Sequence, residues 1–394
     1  MATTQPLTPR PPSTEGDHAN PYPGRLMCLD VFRGLLVAGM ILVDNGDDSS
    51  YWAIKHAEWN GWTPADFIFP SFLFLVGVSM VFSYAARLRR GESRGQILWH
   101  AFKRSLLLIA IGLFVNGFPF IGVDWRGFRF EGVTQRIALC YFAAAILVLW
   151  SNRRGQIIAI AACLLGYWAI LRFLPVPGFG LPGRDIPFMD QNGNITAWLD
   201  RKLFMGHLYN GNRDPEGSIH TIPAIATTLI GVLTGGWLRS GRDRGTIALR
   251  MLIFGILGLV AGQVWNVWFP INKNLWTSSF TLFAGGFSLV FLGLLYWILE
   301  IKQWRGAWTM PILVFGMNAI AGFVADSFVY GPGYTWTVKG ANGTAILWHD
   351  AAQARLAALV ANPANAALIF AVASVLFCWI LLWLLWRKNI FLKV

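Results

Sequence analysis

Between Asp44 and Asp66 the chain gathers an unusual set of side chains. Five carboxylates (Asp44, Asp47, Asp48, Glu58 and Asp66) share 23 positions with Asn45, Asn60, Lys55, His56 and three tryptophans. Only 13% of the whole chain is charged, so this density stands apart. Histidine gains and loses a proton near neutral pH and can serve as a general base. An Asn amide can donate a hydrogen bond to a developing oxyanion. A carboxylate can fix a histidine tautomer or bind an ammonium group. The combination suits acyl transfer to an amine. The alternative is a wetted loop whose Trp52, Trp59 and Trp62 anchor it at a membrane surface.

Other polar residues sit inside apolar sequence. Asp30 and Arg33 are three apart and would share one helix face. A charge in such a segment faces protein or water and often serves function. Arg136, Arg172, Arg250 and Glu300 lie close to segment ends, where long side chains can snorkel. Asp326 is expected either to face the same cavity as His56 or to reach the interface. Asn266, the run Asn272-Lys273-Asn274-Leu275-Trp276 and Gly316-Met317-Asn318 are polar interruptions that either bridge helices or line a ligand channel.

The elements that must position these residues are membrane spans. The 394-residue chain is 55% hydrophobic and 15% aromatic, with a mean hydropathy of +0.49. Soluble domains average about 25% charged residues. Ten spans are expected, near 27–43, 66–86, 105–123, 136–151, 156–175, 219–238, 247–269, 277–301, 308–330 and 365–386. The fold class is therefore an all-α polytopic membrane protein of about ten transmembrane helices. Residues 1–26 are polar and Pro-rich and read as a disordered tail, not a secretory signal. Residues 27–394 form one transmembrane domain, with the long loop 176–218 between its first and last five spans. That division gives the halves inverted topology, an arrangement many transporters share, although no repeated sequence accompanies it.

The net charge of +12 comes from 32 Lys and Arg against 20 Asp and Glu. Most of the basic residues fall in short loops on the side of the N-terminus, including Arg87, Arg89, Arg90, Arg94, Lys103 and Arg104. By the positive-inside rule both termini are cytoplasmic and the His56 and 176–218 loops are extracytoplasmic. The basic residues form no single face and no zinc spacing occurs, so nucleic acid is not an expected partner. Cys28, Cys140, Cys163 and Cys378 all lie in spans and read as small core residues, so no metal is expected. The sequons at Asn194 and Asn342 carry no argument here.

Several strings in order carry a resemblance: Leu29-Asp30-Val31-Phe32-Arg33-Gly34, Lys55-His56-Ala57-Glu58-Trp59-Asn60-Gly61, Ala65-Asp66-Phe67-Ile68-Phe69-Pro70, Gly132-Val133-Thr134-Gln135-Arg136, Asp214-Pro215-Glu216-Gly217, Pro270-Ile271-Asn272-Lys273-Asn274-Leu275-Trp276 and Gly316-Met317-Asn318. Together they resemble the transmembrane acetyltransferases of the heparan-α-glucosaminide N-acetyltransferase family, and the likeness to its bacterial members runs from Arg25 onward.

The resemblance implies transfer of an acetyl group from cytosolic acetyl-CoA to a glucosamine-type amine across the inner membrane. It makes His56 the catalytic histidine and ties Asn45 to catalysis, and on this reading Asp66, in the catalytic set, or Glu58 fixes the histidine tautomer. On this reading Arg33, Lys103, Arg104 and Arg136 are expected partners of the CoA phosphates. Glu58, Asn60, Asn272, Lys273 and Asn318 are the expected acceptor contacts. His56 would deprotonate the amine directly or carry the acetyl group first. The lipid bilayer, acetyl-CoA and an amino-sugar acceptor are the expected partners, and a homodimer is suggested by the family alone. An amino-sugar transporter, or an envelope-glycan acyltransferase with another acceptor, are the competing readings.

Overall fold

The computed structural model describes residues 26–121, 123, 125–209, 211–340, 343–360 and 362–392. The expected N-terminal tail up to residue 25 and the sequon at Asn342 therefore lie outside the described residues. The chain forms helices α1 (Met27–Asp44), α2 (Ile68–Arg89), α3 (Arg94–Gly117), α4 (Val133–Trp150), α5 (Arg153–Phe173), α6 (Ile195–Phe204) and α7 (Thr221–Leu238). It continues with α8 (Arg244–Trp265), α9 (Ser278–Tyr296), α10 (Thr309–Met317), α11 (Ala319–Thr335), α12 (Trp348–Val360) and α13 (Pro363–Arg387). One short hairpin, β1 (Thr337–Lys339) with β2 (Ala345–Leu347), precedes α12.

Among the described residues eight helices are long and apolar enough to cross a membrane, and α10 with α11 would make a ninth span broken by an 89° bend. The protein is an all-α polytopic membrane protein. Helix α1, the first expected span, is 18 residues long but includes Asp30, Arg33 and Asp44. It qualifies less by hydropathy than by position, since its buried face packs into the bundle beside α2, α9, α10 and α13.

Helix starts follow capping chemistry more than hydropathy. Helix α3 begins at Arg94, well before the expected 105, because Ser93 and Gln96 form a reciprocal capping box. Its first turns are polar and need no lipid. Asn152, Asp243 and Thr277 cap α5, α8 and α9 by accepting a hydrogen bond from a first-turn backbone N–H. The loop 176–218 is not bare. It contains α6 and packs Val176, Met189 and Ile195 onto Tyr167, Phe269 and Leu275.

Close helix contact arises where small residues let backbones meet. A Cβ on Gly77 of α2 would lie 1.9 Å from the Thr228 carbonyl oxygen of α7, and one on Gly231 would lie 2.0 Å from that of Phe74. Gly34 of α1 and Gly316 of α10 interlock the same way. Helices α2, α7 and α9 form the interior. Helices α3, α5, α8 and α13 turn exposed apolar residues outward, such as Leu106, Ile158, Ile253 and Leu376. That ring faces the hydrocarbon.

Candidate active site

Helix α1 sets two ends of the molecule. Arg33 lies near its start and Asn45 caps its finish. Beyond Asn45 the chain loops over one end of the bundle and re-enters through a short 3-10 turn at Pro64–Phe67. Asp66 organises that re-entry. Its buried carboxylate accepts from the Thr63 backbone N–H at 2.9 Å, the Thr63 hydroxyl at 3.2 Å and the Ala57 N–H at 3.2 Å. The same carboxylate stands 2.8 Å from His56 Nδ1. The His56 side chain is 44% exposed and that of Asp66 only 1%. An acceptor-only carboxylate at this distance assigns the proton to Nδ1 and leaves Nε2 with its lone pair.

Lys273 reaches the same imidazole from the turn between α8 and α9. Its Nζ is 3.0 Å from both Nδ1 and Nε2 and 3.6 Å from Asp66 Oδ1. Burial pushes the Lys273 ammonium below its ordinary range, opposed by the charge of Asp66. The turn is built by Asn272, whose side-chain oxygen accepts from the Leu275 N–H at 2.8 Å, and by buried Trp276, held at a left-handed φ of 48°. Asn272 also donates to Asn60 at 3.2 Å, joining this turn to the His56 loop. Glu58 is exposed at the same end.

Asn45 is almost fully buried. Its amide nitrogen donates to the Ile41 carbonyl at 2.9 Å and to Asp326 Oδ1 at 2.7 Å. An Asn amide has two N–H donors, so neither hydrogen is left for an oxyanion. Asp326 thus comes to the His56 end, the first of its two expected placements. Its other neighbour, which sequence reasoning placed in the loop without a role, is Asp44. The Asp44 carboxyl interacts side chain to side chain with Asp326 and lies in the field of His56, Lys273 and Glu216.

A second cluster lies nearby, under the 176–218 loop. Arg129 grips Asp214 at 2.7 and 2.5 Å and also pairs with Glu216. Arg136 is here too, 1% exposed. It donates to the Gly217 carbonyl at 3.0 Å, faces His220 Nδ1 at 3.3 Å and lies over the Trp276 ring. Asp200 holds Ser218 through Oδ1, while its Oδ2 stands 3.9 Å from His220 Nε2. Burial raises the Glu131 carboxyl to about 9 and, with Arg136 beside it, lowers His220 to about 3.

At the opposite end, a cavity of about 580 Å³ runs among α1, α2, α3, α4 and the α10–α11 break. Its polar end carries Arg33, Arg104, Ser79 and Ser83; its far end is lined by Met40, Phe72 and Val133. Arg33 is oriented by Asp30 at 3.0 Å and Ser79 at 3.2 Å. Among the described residues the buried Arg104 Nε has no hydrogen-bond partner in the protein. Met40, which lines the cavity, is about one helical turn from Asp44, so the cavity extends along α1 toward the His56 end.

The expected CoA partners therefore separate. Arg33 and Arg104 share the cavity. Lys103 is exposed beside Trp99, and Arg136 belongs to the cluster at the His56 end, because α4 starts there. The expected acceptor contacts separate as well. Asn60, Asn272 and Lys273 meet around His56, and Glu58 is exposed nearby. Asn318 is buried at the α10–α11 break, where it bonds the Ile390 carbonyl at 3.2 Å and the Leu392 N–H at 3.1 Å. It fastens the C-terminal segment against the cavity. Sequence reasoning missed Ser79 and Ser83, whose signal is only that they lie four residues apart on one face of α2.

Fold and site define an integral membrane protein with a histidine–aspartate pair at one end and a long internal cavity leading to arginines at the other. A family model, heparan-alpha-glucosaminide N-acetyltransferase, catalytic, matches residues 25–252. The chain is 32% identical to the heparan-alpha-glucosaminide N-acetyltransferase of Mus musculus over 364 residues, which is 79% of this chain and 54% of that protein. It is also 32% identical to the Homo sapiens protein of that name over 370 residues, or 80% of this chain and 55% of that protein. The chain thus spans about half the length of the curated relatives it matches. It belongs to the heparan-alpha-glucosaminide N-acetyltransferase catalytic family.

Proposed function

We propose that this protein is a transmembrane N-acetyltransferase that takes the acetyl group of acetyl-CoA at the Arg33 end and passes it to an amine, of glucosamine type, at the His56 end. The observation that carries the reading is a cavity that holds Arg33 and Arg104 at one end and extends along α1 to Met40, about one helical turn short of Asp44. Arg33 and the partly unpartnered Arg104 suit phosphates. The apolar length between them and Met40 suits a thioester arm. His56, held in one tautomer by Asp66, suits proton removal from a nucleophilic nitrogen. The Arg-rich turn between α2 and α3 lies at the Arg33 end, so the positive-inside rule puts that mouth in the cytoplasm and His56 outside.

In this mechanism His56 Nε2 takes a proton from the amine as nitrogen attacks the thioester carbonyl. Lys273 is the cation beside the imidazole, so its ammonium, rather than the occupied Asn45 amide, stabilises the tetrahedral oxyanion. The long lysine side chain must then swing from the imidazole toward the oxygen. His56 returns its proton to the departing sulfur.

The test is transfer of labelled acetyl-CoA to glucosamine by purified protein in sealed vesicles, with donor and acceptor on opposite sides. Acetylated glucosamine from wild type and none from His56→Ala is the expected result. Absence of product with any amino sugar, together with absence of CoA binding, sinks the reading and leaves a transporter ahead.

A further inference from the structure

Helix α13 ends in a turn that sends the chain back toward the bundle. Asn389 takes a left-handed φ of 55°. Its N–H donates to the Trp386 carbonyl at 3.0 Å, and the Ile390 N–H donates to the Leu385 carbonyl at 2.9 Å. These are the two bonds of a Schellman motif, which ends a helix and redirects the chain. The redirected stretch 390–392 then lies against the break between α10 and α11.

Asn318 receives it. This residue is fully buried at the 89° break. Its Nδ2 donates to the Ile390 carbonyl at 3.2 Å, and its Oδ1 accepts from the Leu392 N–H at 3.1 Å. One amide thus grips two main-chain groups of alternate residues, as a neighbouring strand would, and holds the stretch in one register. The same break carries the Gly316 carbonyl, which accepts from Arg33 Nη1 at 3.4 Å. A Cβ on Gly316 would lie 1.9 Å from the Asp30 carbonyl oxygen, so α10 is locked to the helix that bears Arg33. Arg33 and the 390–392 stretch are therefore tied to one corner of the bundle. The grip leaves Phe391 and Leu392 lining the cavity of about 580 Å³ together with Arg33, Ser79 and Arg104. Leu392 is 51% exposed and Phe391 half-buried, so this wall carries apolar surface that the protein itself does not cover.

Resting on the acetyltransferase reading, we propose that the 390–392 stretch is a wall of the donor site. Phe391 and Leu392 make apolar contact with the pantetheine arm of acetyl-CoA, and Asn318 is the residue that positions them. Asn318 does not touch the donor, because its amide is spent on the main chain of the stretch it holds. Arg33, fixed to the same corner, takes a phosphate. The α10–α11 break thereby sets the distance between the charged and the apolar contacts of one ligand.

The experiment uses the full chain in detergent and reads CoA binding by calorimetric titration, with thermal melting as the check on folding. Phe391→Ala should raise the CoA Kd about tenfold. Asn318→Ala should raise it by about the same factor, since two hydrogen bonds hold the wall. Leu392→Pro deletes the N–H that Asn318 accepts and should match it. The double variant of Asn318→Ala with Leu392→Pro should bind no more weakly than the worse single one, because both break one contact. In acetyl transfer the KM for acetyl-CoA should rise in these variants while the KM for glucosamine holds within about twofold, since the acceptor meets the His56 end. Leu392→Cys should react with a maleimide and be protected by saturating CoA, a readout that needs no turnover and stands even if Asn318→Ala does not fold. Labelling is read against wild type, whose Cys28, Cys140 and Cys378 are buried. Unchanged CoA affinity in Phe391→Ala, or labelling of Leu392→Cys that CoA does not slow, overturns the proposal while leaving the acetyltransferase reading intact. Additive losses in the double variant remove Asn318 as the positioning residue. A wild type that binds no CoA removes the wall and the acetyltransferase reading together.

Discussion

His56 and His220 lie at the same end of the molecule and share a neighbour type, an aspartate, yet their surroundings make them opposites. The side chain of His56 is 44% exposed and stands 2.8 Å from Asp66. That of His220 is 3% exposed and stands 3.9 Å from Asp200. His220 also faces the guanidinium of Arg136. Solvent access and a close carboxylate are what the proposed proton transfer at His56 requires. Burial and a like charge forbid an imidazolium at His220, which stays neutral. The comparison teaches that one side chain becomes a proton carrier or a fixed polar strut according to access and the sign of its nearest charge.

The largest expected effect separates the two directly. His56→Ala should lower acetyl transfer by roughly 10²–10⁴-fold, while His220→Gln should leave turnover per folded molecule within about threefold of wild type. A radiolabel transfer assay normalised to CoA binding measures both. Comparable losses at the two positions would erase the distinction.

Next comes Lys273→Met, which removes the cation beside His56. Because Asn45 has no free amide hydrogen, the loss should fall on kcat, by roughly 10²-fold. Steady-state kinetics in which KM alone rises would instead mark Lys273 as an acceptor contact.

Arg104→Met should raise the KM for acetyl-CoA about tenfold and spare kcat, since its guanidinium acts at the far end of the cavity. An unchanged KM would move the phosphate site elsewhere.

The smallest effect concerns stability. His220 is lowered in the folded protein from its ordinary value of 6.5 to about 3. Between those values the unfolded chain binds a proton that the folded one refuses, so stability is lost as pH falls below 6.5. Glu131 acts with the opposite slope. Raised from 4.5 to about 9, it contributes stability below 4.5 that is lost as pH rises toward 9. Thermal melting of His220→Gln should show a flatter acid limb than wild type, and Glu131→Gln a flatter alkaline limb.

Much of this was legible before any coordinates. Apolar runs mark the bundle because lipid admits only helices with every backbone group paired, and that requirement is local. Asp66 lies ten residues from His56, a separation that a short loop can close, so the sequence could offer it as a partner of the imidazole. The positive loops are likewise counted along the chain. Where capping and hydropathy disagreed, as at Arg94, the cap decided the helix start.

The tertiary structure decided the rest. Lys273 meets His56 across 217 positions, and Asn45 meets Asp326 across 281. No periodicity reports such pairs, because they depend on how helices cross, and the crossings depend on glycines such as Gly34 and Gly316 finding a backbone to accept. The same packing turned Arg136 away from the cavity and set Asn318 against the C-terminal segment. Sequence by itself determined which segments are apolar enough to enter the membrane and which loop gathers the titratable side chains. Only packing decided which hydrogen of which amide was already spent, and so which residue was free to act.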